Sequence, residues 1–354
     1  MIRSSIQHLR CVPAAAALGL TAFLAIGNVR SADLPGAPAG TLKQVTVHGE
    51  SLVGNLSGDS ADRTVFVYLP PSYAAARSRR YPVLYDLHGY TLTAERWVGF
   101  LKAREAIDRA VAAGKAREMI VVFPDAMSVH DGSMYSSSVA TGDWETFIAY
   151  DLVKYIDGHY RTLAKRGSRG LSGHSMGGYG AFRIGMKRPD VFSVLYPMSS
   201  CCLSARGATP ADAALEQIKT VEDAVKLQIG ARTTLAASAA WAPDPQNPPF
   251  FLDLPTKGGM PDPSVIARYA ANAPQAMLPQ YVPNLKKYRA IQMDVGLQDP
   301  LFKDNQEMDR LLTEFAIPHT FETYEGNHLD HIPQRFELNV LPFFSEHLQF
   351  GSAK

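Results

Sequence analysis

Cysteine is scarce in this chain, three residues in 354, and two of the three are neighbours. Cys201 and Cys202 are too few and too close for a disulfide framework or a zinc site, both of which need spaced ligands. They read as two buried thiols, the usual fate of cysteine in apolar surroundings, with a strained adjacent-residue disulfide as the alternative. Cys11 precedes an apolar run where a lipid-acceptor cysteine would follow it, which disfavours lipidation. An excess of one charge is also missing. The formal net charge is +1 and the basic residues are scattered, so the electrostatic footprint of a nucleic-acid binder is absent. No internal repeat stands out. What remains is 46% hydrophobic and 19% charged residues, a globular composition sufficient for one large core.

The N-terminus stands apart. Arg3 and Arg10 precede "CVPAAAALGLTAFLAIG", and small residues follow at Ser31 and Ala32. Residues 1–32 read as a secretory signal peptide cleaved after Ser31 or Ala32. The run is short for a bilayer crossing of roughly 20 apolar residues, although an uncleaved anchor is the alternative. Cleavage would remove three arginines and no acid, leaving 32 basic against 34 acidic residues and a net charge of −2. The expected product is periplasmic or secreted, with no membrane span and no nucleic-acid partner. A Gly/Pro-rich linker, 33–40, leads into a single domain at 41–350.

Within that domain "LKQVTVHG" and "RTVFVYLP" alternate apolar and polar residues and predict an antiparallel strand pair. "YPVLYDLHG" and "EMIVVFPDA" are short, nearly continuous apolar runs, the pattern of strands buried on both faces. Between them "ERWVGFLKAREAIDRAVAAGK" has helical spacing and a Gly stop. Strand and helix then alternate through "WETFIAYDLVKYIDGHY", "SRGLSG", "MGGYGAFRIGMK", "VFSVLYPMSS", "AIQMDVG", "NQEMDRLLTEFA", "HTFETYEG" and "QRFELNVLPFFSEHL". This order predicts an α/β fold with a mostly parallel central sheet and helices on both faces. A Pro/Ala-rich insertion at 203–288 interrupts it. That insertion is longer than a structureless loop usually runs and is expected to be partly helical, lying as a cap over the sheet edge where ligands bind in such folds. A peripheral decoration is its alternative.

The sharpest motif is Gly173-His174-Ser175-Met176-Gly177, a G-x-S-x-G pentapeptide. The pentapeptide alone is a weak signal, and its context raises it. A strand precedes it and a helix follows, so the serine sits at a sharp turn with small residues on either side. The helix N-terminus turns free amides toward any anion that forms there. A serine hydroxyl needs a base, and the base needs a carboxylate to hold its tautomer. In this fold order the acid and the histidine follow the serine. Asp299 lies in the loop after "AIQMDVG", with Asp294 inside the strand as its rival. His328 lies in the Gly-rich loop after "HTFETYEG", with His331 as its rival. His88 and His174 are neighbours packed against the turn. The backbone N–H groups of Met176 and Tyr90 are the candidate oxyanion donors, with Gly89 allowing the turn before Tyr90.

On "PVLYDLHGYTLTAERW", "GDWETFIAYDLVKYIDGHYRT", "GHSMGGYGAFRIGMKRPDVFSVLYPMS", "GLQDPLFKDNQEMDRLL" and "YEGNHLDHIPQRF", the chain resembles the esterase D family of α/β-hydrolases. That family includes feruloyl and acetylxylan esterases, S-formylglutathione hydrolases, enterochelin esterases and mycolyltransferases of the antigen 85 type. The resemblance implies an α/β-hydrolase fold, Ser175 as nucleophile, Asp299 as acid, His328 as base, and Tyr90 and Met176 as oxyanion donors. It also implies that "GSMYSSSVATGDWETF" borders the acyl site, with Trp144 packing and Glu145 capping. The expected activity is that of an exported serine carboxylesterase on polysaccharide-linked or small acyl or aromatic esters, with no cofactor and no metal. Acyl transfer to a sugar and S-formylglutathione hydrolysis are alternatives, the latter opposed by the signal segment. A catalytically inactive binding protein on the same scaffold is the remaining one. The adjacent cysteines and the long insertion depart from the family pattern and bear on the substrate.

Overall fold

Eight segments of the chain become strands of one sheet: β1 (Thr41–His48), β2 (Asp62–Leu69), β3 (Val83–Leu87), β4 (Ile120–Pro124), β5 (Arg169–His174), β6 (Val194–Met198), β7 (Ala290–Gly296) and β8 (Thr320–Tyr324). The structure, a computed structural model, describes residues 39–351, so the signal segment read at 1–32 lies outside the described residues. The strand order is β1-β2-β4-β3-β5-β6-β7-β8. The first two strands pair antiparallel from Thr41 opposite Leu69 to His48 opposite Asp62, and β2 is also antiparallel to β4. Every other neighbouring pair is parallel, so β2 alone runs against the rest.

The continuous apolar runs are strands buried on both faces, and every residue of β3, β4 and β6 is buried. Successive residues serve opposite layers, as the strand period of two requires. Ile120 and Val122 join the core that contains Ile148, Leu152 and Phe182, whereas Val121 and Phe123 join the one that contains Trp97, Ala106 and Leu341. Full burial of each such side chain contributes about 1.5–3 kcal/mol.

The helices follow the expected order with one difference. The segment read as a single helix from Glu95 is two, α1 (Ala94–Leu101) and α2 (Ala103–Ala112), separated at Lys102 in the left-handed conformation (φ 47°). The break has a packing reason. The buried stripe Ala94, Trp97, Val98, Leu101 would continue onto Arg104 and Glu105 in an unbroken helix, and the kink brings Ala103, Ala106, Ile107 and Ala110 to the sheet instead. Helix α3 covers 144–159 with a π-type turn at Phe147–Asp151, and α4 (Met176–Lys187) follows β5 directly.

After β6 the Pro/Ala-rich segment forms α5 (Pro210–Leu215), α6 (Val221–Ala224), α7 (Ile229–Trp241), α8 (Pro263–Ala271) and α9 (Pro274–Leu285). Leu215, Ala224, Leu235, Ala239 and Leu252 make a small apolar cluster with Ala140, separate from the two sheet cores. The segment is not cap throughout. Helix α9 is fastened along α4, with Asn284 Nδ2 donating to Met186 O at 2.9 Å and Tyr288 Oη just beyond it donating to Gly185 O at 2.8 Å. It serves as the crossover helix between β6 and β7. Helices α10 (Phe302–Glu314) and α11 (332–347) complete the two layers.

Candidate active site

Ser175 sits where β5 ends and α4 begins, with φ 58° and ψ −113°, a conformation that side chains other than glycine rarely adopt. The flanking glycines are required by contact. A Cβ at Gly173 would lie 2.6 Å from the carbonyl of Gly177, and one at Gly177 would lie 2.0 Å from Leu87 O. The turn therefore closes only with hydrogen at both positions, and it leaves the serine partly exposed while its neighbours on both sides are buried.

The three residues expected to work together meet. His328 Nδ1 lies 2.8 Å from Asp299 Oδ2 and its Nε2 lies 2.9 Å from Ser175 Oγ. Burial pushes the Asp299 carboxyl up, but the bonds from His328 and from the Leu301 amide outweigh it and hold the group below the ordinary carboxylate range. An ionised carboxylate only accepts, so Nδ1 carries the proton and Nε2 is left to accept from the serine hydroxyl. The carboxylate is fully buried and the imidazole 28% exposed, which leaves the ring edge open to a reacting molecule. The rivals lie elsewhere. Asp294 is inside β7 and fully buried, with its Oδ2 accepting from Arg335 Nε at 2.6 Å and Tyr196 Oη at 2.8 Å. His331 precedes α11 and packs edge-on against Tyr324.

Met176 is the first residue of α4, so its amide has no acceptor within the helix. Gly89 lies against Ser175, since a Cβ there would be 3.5 Å from Ser175 Cβ. The following loop is anchored by Tyr90 Oη donating to His130 O at 3.0 Å and by Thr91 N donating to Asp131 O at 2.9 Å. His88 is neutral and fixed, because its Nε2 accepts from Ala126 N and its Nδ1 therefore donates to Gly89 O. Burial lowers its pKa.

His174 does more than pack. Its Nε2 donates to His328 O at 2.8 Å, tying the histidine loop to the serine turn. Its ring stacks on Trp97, whose Nε1 donates to buried Asp86 Oδ2 at 2.8 Å. Burial and then the neighbouring His328 push the His174 ring down to about 3, so it stays neutral. Nothing in the spacing of the sequence pointed to this bond between residues 154 apart. The expected cap at Glu145 is also corrected. Asp143 caps α3 by accepting from Thr146 N, whereas buried Glu145 holds Arg183 at 2.7 Å and Lys187 at 2.9 Å. Trp144 is buried, as packing required.

The insertion walls a cavity of about 590 Å³, lined by Cys202, Arg206, Thr233, Trp241, Tyr269 and Asp304 among others, with none of Ser175, Asp299 and His328 in its lining. Trp241 packs against Tyr179 in the first turns of α4, and Tyr179 Oη donates to Asn272 O at 2.9 Å. Arg206 is neutralised by Asp212 at 2.9 Å. These insertion residues were outside the reach of motif reading, because no spacing in an Ala/Pro-rich segment announces which side chains turn inward.

A family model described as "Putative esterase" matches residues 60–329. An endo-1,4-beta-xylanase/feruloyl esterase of Xylanibacter ruminicola is 32% identical over 157 residues, covering 43% of this chain and 20% of that protein. An esterase of Mycobacterium tuberculosis is 37% identical over 127 residues, 35% of this chain and 26% of that one. The match thus spans a fifth to a quarter of the length of these curated relatives. Among solved structures, a ferulic acid esterase aligns with a TM-score of 0.62 at 23% identity over 88% of this chain and 99% of its own. An S-formylglutathione hydrolase of Staphylococcus aureus aligns with a TM-score of 0.57 at 16% identity over 86% and 99%. At such identities these show the α/β-hydrolase fold. With three quarters of its length matched by the family model, the chain belongs to the Esterase family.

Proposed function

We propose that this protein is a serine carboxylic-ester hydrolase acting through an acyl-enzyme on Ser175. The carrying observation is the unbroken line Ser175 Oγ, His328, Asp299 at 2.9 and 2.8 Å. His328 Nε2 takes the hydroxyl proton as Ser175 attacks the ester carbonyl, and Asp299 stabilises the imidazolium that forms. The amides of Met176 and Tyr90 receive the oxyanion, each such donor being worth about 3 kcal/mol of barrier. The imidazolium then protonates the leaving alcohol, and water activated by the same ring releases the acid.

The cavity walled by the insertion supports a small acyl or aromatic acid as substrate. Its aromatic walls, Trp241 and Tyr269, stand edge to face with centroids 5.2 Å apart, and its polar lining includes Ser204, Thr233 and Asp304. The feruloyl esterase named among the relatives adds weight to an aromatic ester, carried on a polysaccharide and met outside the cytoplasm if residues 1–32 are a signal peptide. Purified protein is assayed with p-nitrophenyl acetate, feruloyl, acetylxylan and S-formylglutathione substrates, and labelled with a fluorophosphonate, alongside Ser175→Ala. The expected result is turnover and labelling that both vanish in the variant. Turnover that survives Ser175→Ala overturns the mechanism, and labelling without hydrolysis redirects it to acyl transfer.

A further inference from the structure

The two cysteines sit next to the turn that carries Ser175. Cys201 N donates to Ser175 O at 3.1 Å, so the residue after β6 is tied to the serine turn itself. Cys202 lines the cavity walled by the insertion. The two sulfurs are 2.9 Å apart, with the Cys202 thiol directed at Cys201 Sγ. Both are free thiols in the structure and only partly buried. The backbone around them is held in uncommon conformations, with φ 40° at Ser199 and φ 58° at Cys202, as at Ser175. Such positions cluster where the surrounding structure overdetermines them.

We infer that Cys201 and Cys202 form a modification site in the wall of the insertion's cavity, closed to a vicinal disulfide by exchange with a small organic disulfide, and that closure slows turnover at Ser175. The step balances. Cys202, reached from the cavity, attacks one sulfur of the reagent as its thiolate and expels one reagent thiolate. Cys201 then loses its proton and attacks Cys202 Sγ, expelling the second. Two protein thiols are oxidised and one reagent disulfide is reduced to two thiols. Hydrogen bonding with Cys202 and then burial push the Cys201 thiol well up, which makes Cys201 the poorer first nucleophile and leaves the first step to Cys202.

Adjacent residues have Cα atoms about 3.8 Å apart, below the roughly 4.4–6.8 Å that disulfides ordinarily span. Closure therefore has to deform the backbone between them, and the bond from Cys201 N carries that deformation to Ser175. The same geometry makes the bond readily reduced, the property of labile disulfides. Only the effect on turnover rests on the function proposed above, since formation of the bond is read without any activity.

The test treats the full chain with 2-hydroxyethyl disulfide, removes the reagent, and measures the mass of the peptide carrying both cysteines together with kcat/KM and the rate of fluorophosphonate labelling. The expected peptide has lost two hydrogens, kcat/KM and labelling fall roughly ten- to a hundredfold, the scale of misplacing a reacting group by about an ångström, and dithiothreitol restores both. Cys202→Ser, whatever its starting activity, shows equal rates before and after treatment, and Cys201→Ser stops at the mixed disulfide of Cys202 without losing two hydrogens. A peptide recovered as the dithiol or only as a mixed disulfide overturns the site. A closed disulfide with unchanged labelling and kcat/KM overturns the coupling to Ser175. Failure of the esterase reading would appear separately, as activity retained in Ser175→Ala.

Discussion

Replacing Asp299 by Asn keeps the shape of the site and changes which nitrogen of His328 carries the proton. Asp299 Oδ1 accepts from Leu301 N at 2.8 Å and Oδ2 accepts from His328 Nδ1 at 2.8 Å. An amide that keeps the Leu301 bond turns its NH2 toward Nδ1, so Nδ1 must accept and Nε2 must hold the proton. Nε2 can then no longer take the proton of Ser175, and the imidazolium loses its counter-charge. The same exchange in a serine–histidine–aspartate triad lowers kcat about 10⁴-fold, or about 5 kcal/mol of barrier. Asp294→Asn makes the opposite prediction. Asp294, its side chain fully buried in β7, pairs with Arg335 at 2.6 Å, and Arg335 keeps Glu322 at 2.6 Å. Its loss should cost about 3 kcal/mol of stability and leave kcat of the folded enzyme within a few-fold of the parent. Steady-state kinetics on an ester substrate, with thermal unfolding of each variant, separates the two. A Asp294→Asn enzyme that stays as stable as the parent yet loses turnover, beside an active Asp299→Asn enzyme, would refute the assignment of the acid.

The remaining predictions concern the frame around the triad. His174→Gln, which can keep a donor toward His328 O, should retain most of kcat, whereas His174→Ala should lose roughly ten- to a hundredfold in kcat with little change in KM, because it frees the loop that positions His328. His174 is also an acid-stability element: its folded pKa near 3 lies below the unfolded value near 6.5. Its contribution is whole above pH 6.5 and is lost as pH falls toward 3, with a slope of up to about 1.4 kcal/mol per pH unit, and urea unfolding of His174→Gln across that window should show a flatter slope. Gly177→Ala places a methyl 2.0 Å from a backbone oxygen and should abolish fluorophosphonate labelling, with more than the ~1–3 kcal/mol of ordinary overpacking lost in unfolding experiments. Glu145→Ala removes the carboxylate from buried Arg183 and half-buried Lys187 and should lower stability by about 3–5 kcal/mol in urea melts.

The order of strands and helices was readable in the chain because it rests on periodicity and on turn residues, which are local. The pattern around Ser175 was readable for a related reason: the glycines at 173 and 177 answer to contacts with the chain immediately around them and with Leu87, so the constraint is written into neighbouring positions. The break at Lys102 was visible in principle in the shifted phase of Ala103, Ala106 and Ala110, but a single helical window hides a phase change. The choice of Asp299 over Asp294 followed from one being in a loop and the other in a strand.

By itself, then, the sequence determined the layered fold, the place of Ser175 at a sharp strand-to-helix turn and the loops that carry Asp299 and His328, since each is carried by short-range spacing or by the type of element that bears it. The tertiary structure alone decided that His174 grips the His328 loop, that Glu145 is an ion-pair partner and no cap, that part of the insertion is a crossover helix, and that Cys201 is bonded to Ser175. The physical reason is distance along the chain. These contacts join residues tens to more than a hundred positions apart, and only packing against a common sheet brings them within reach of a hydrogen bond.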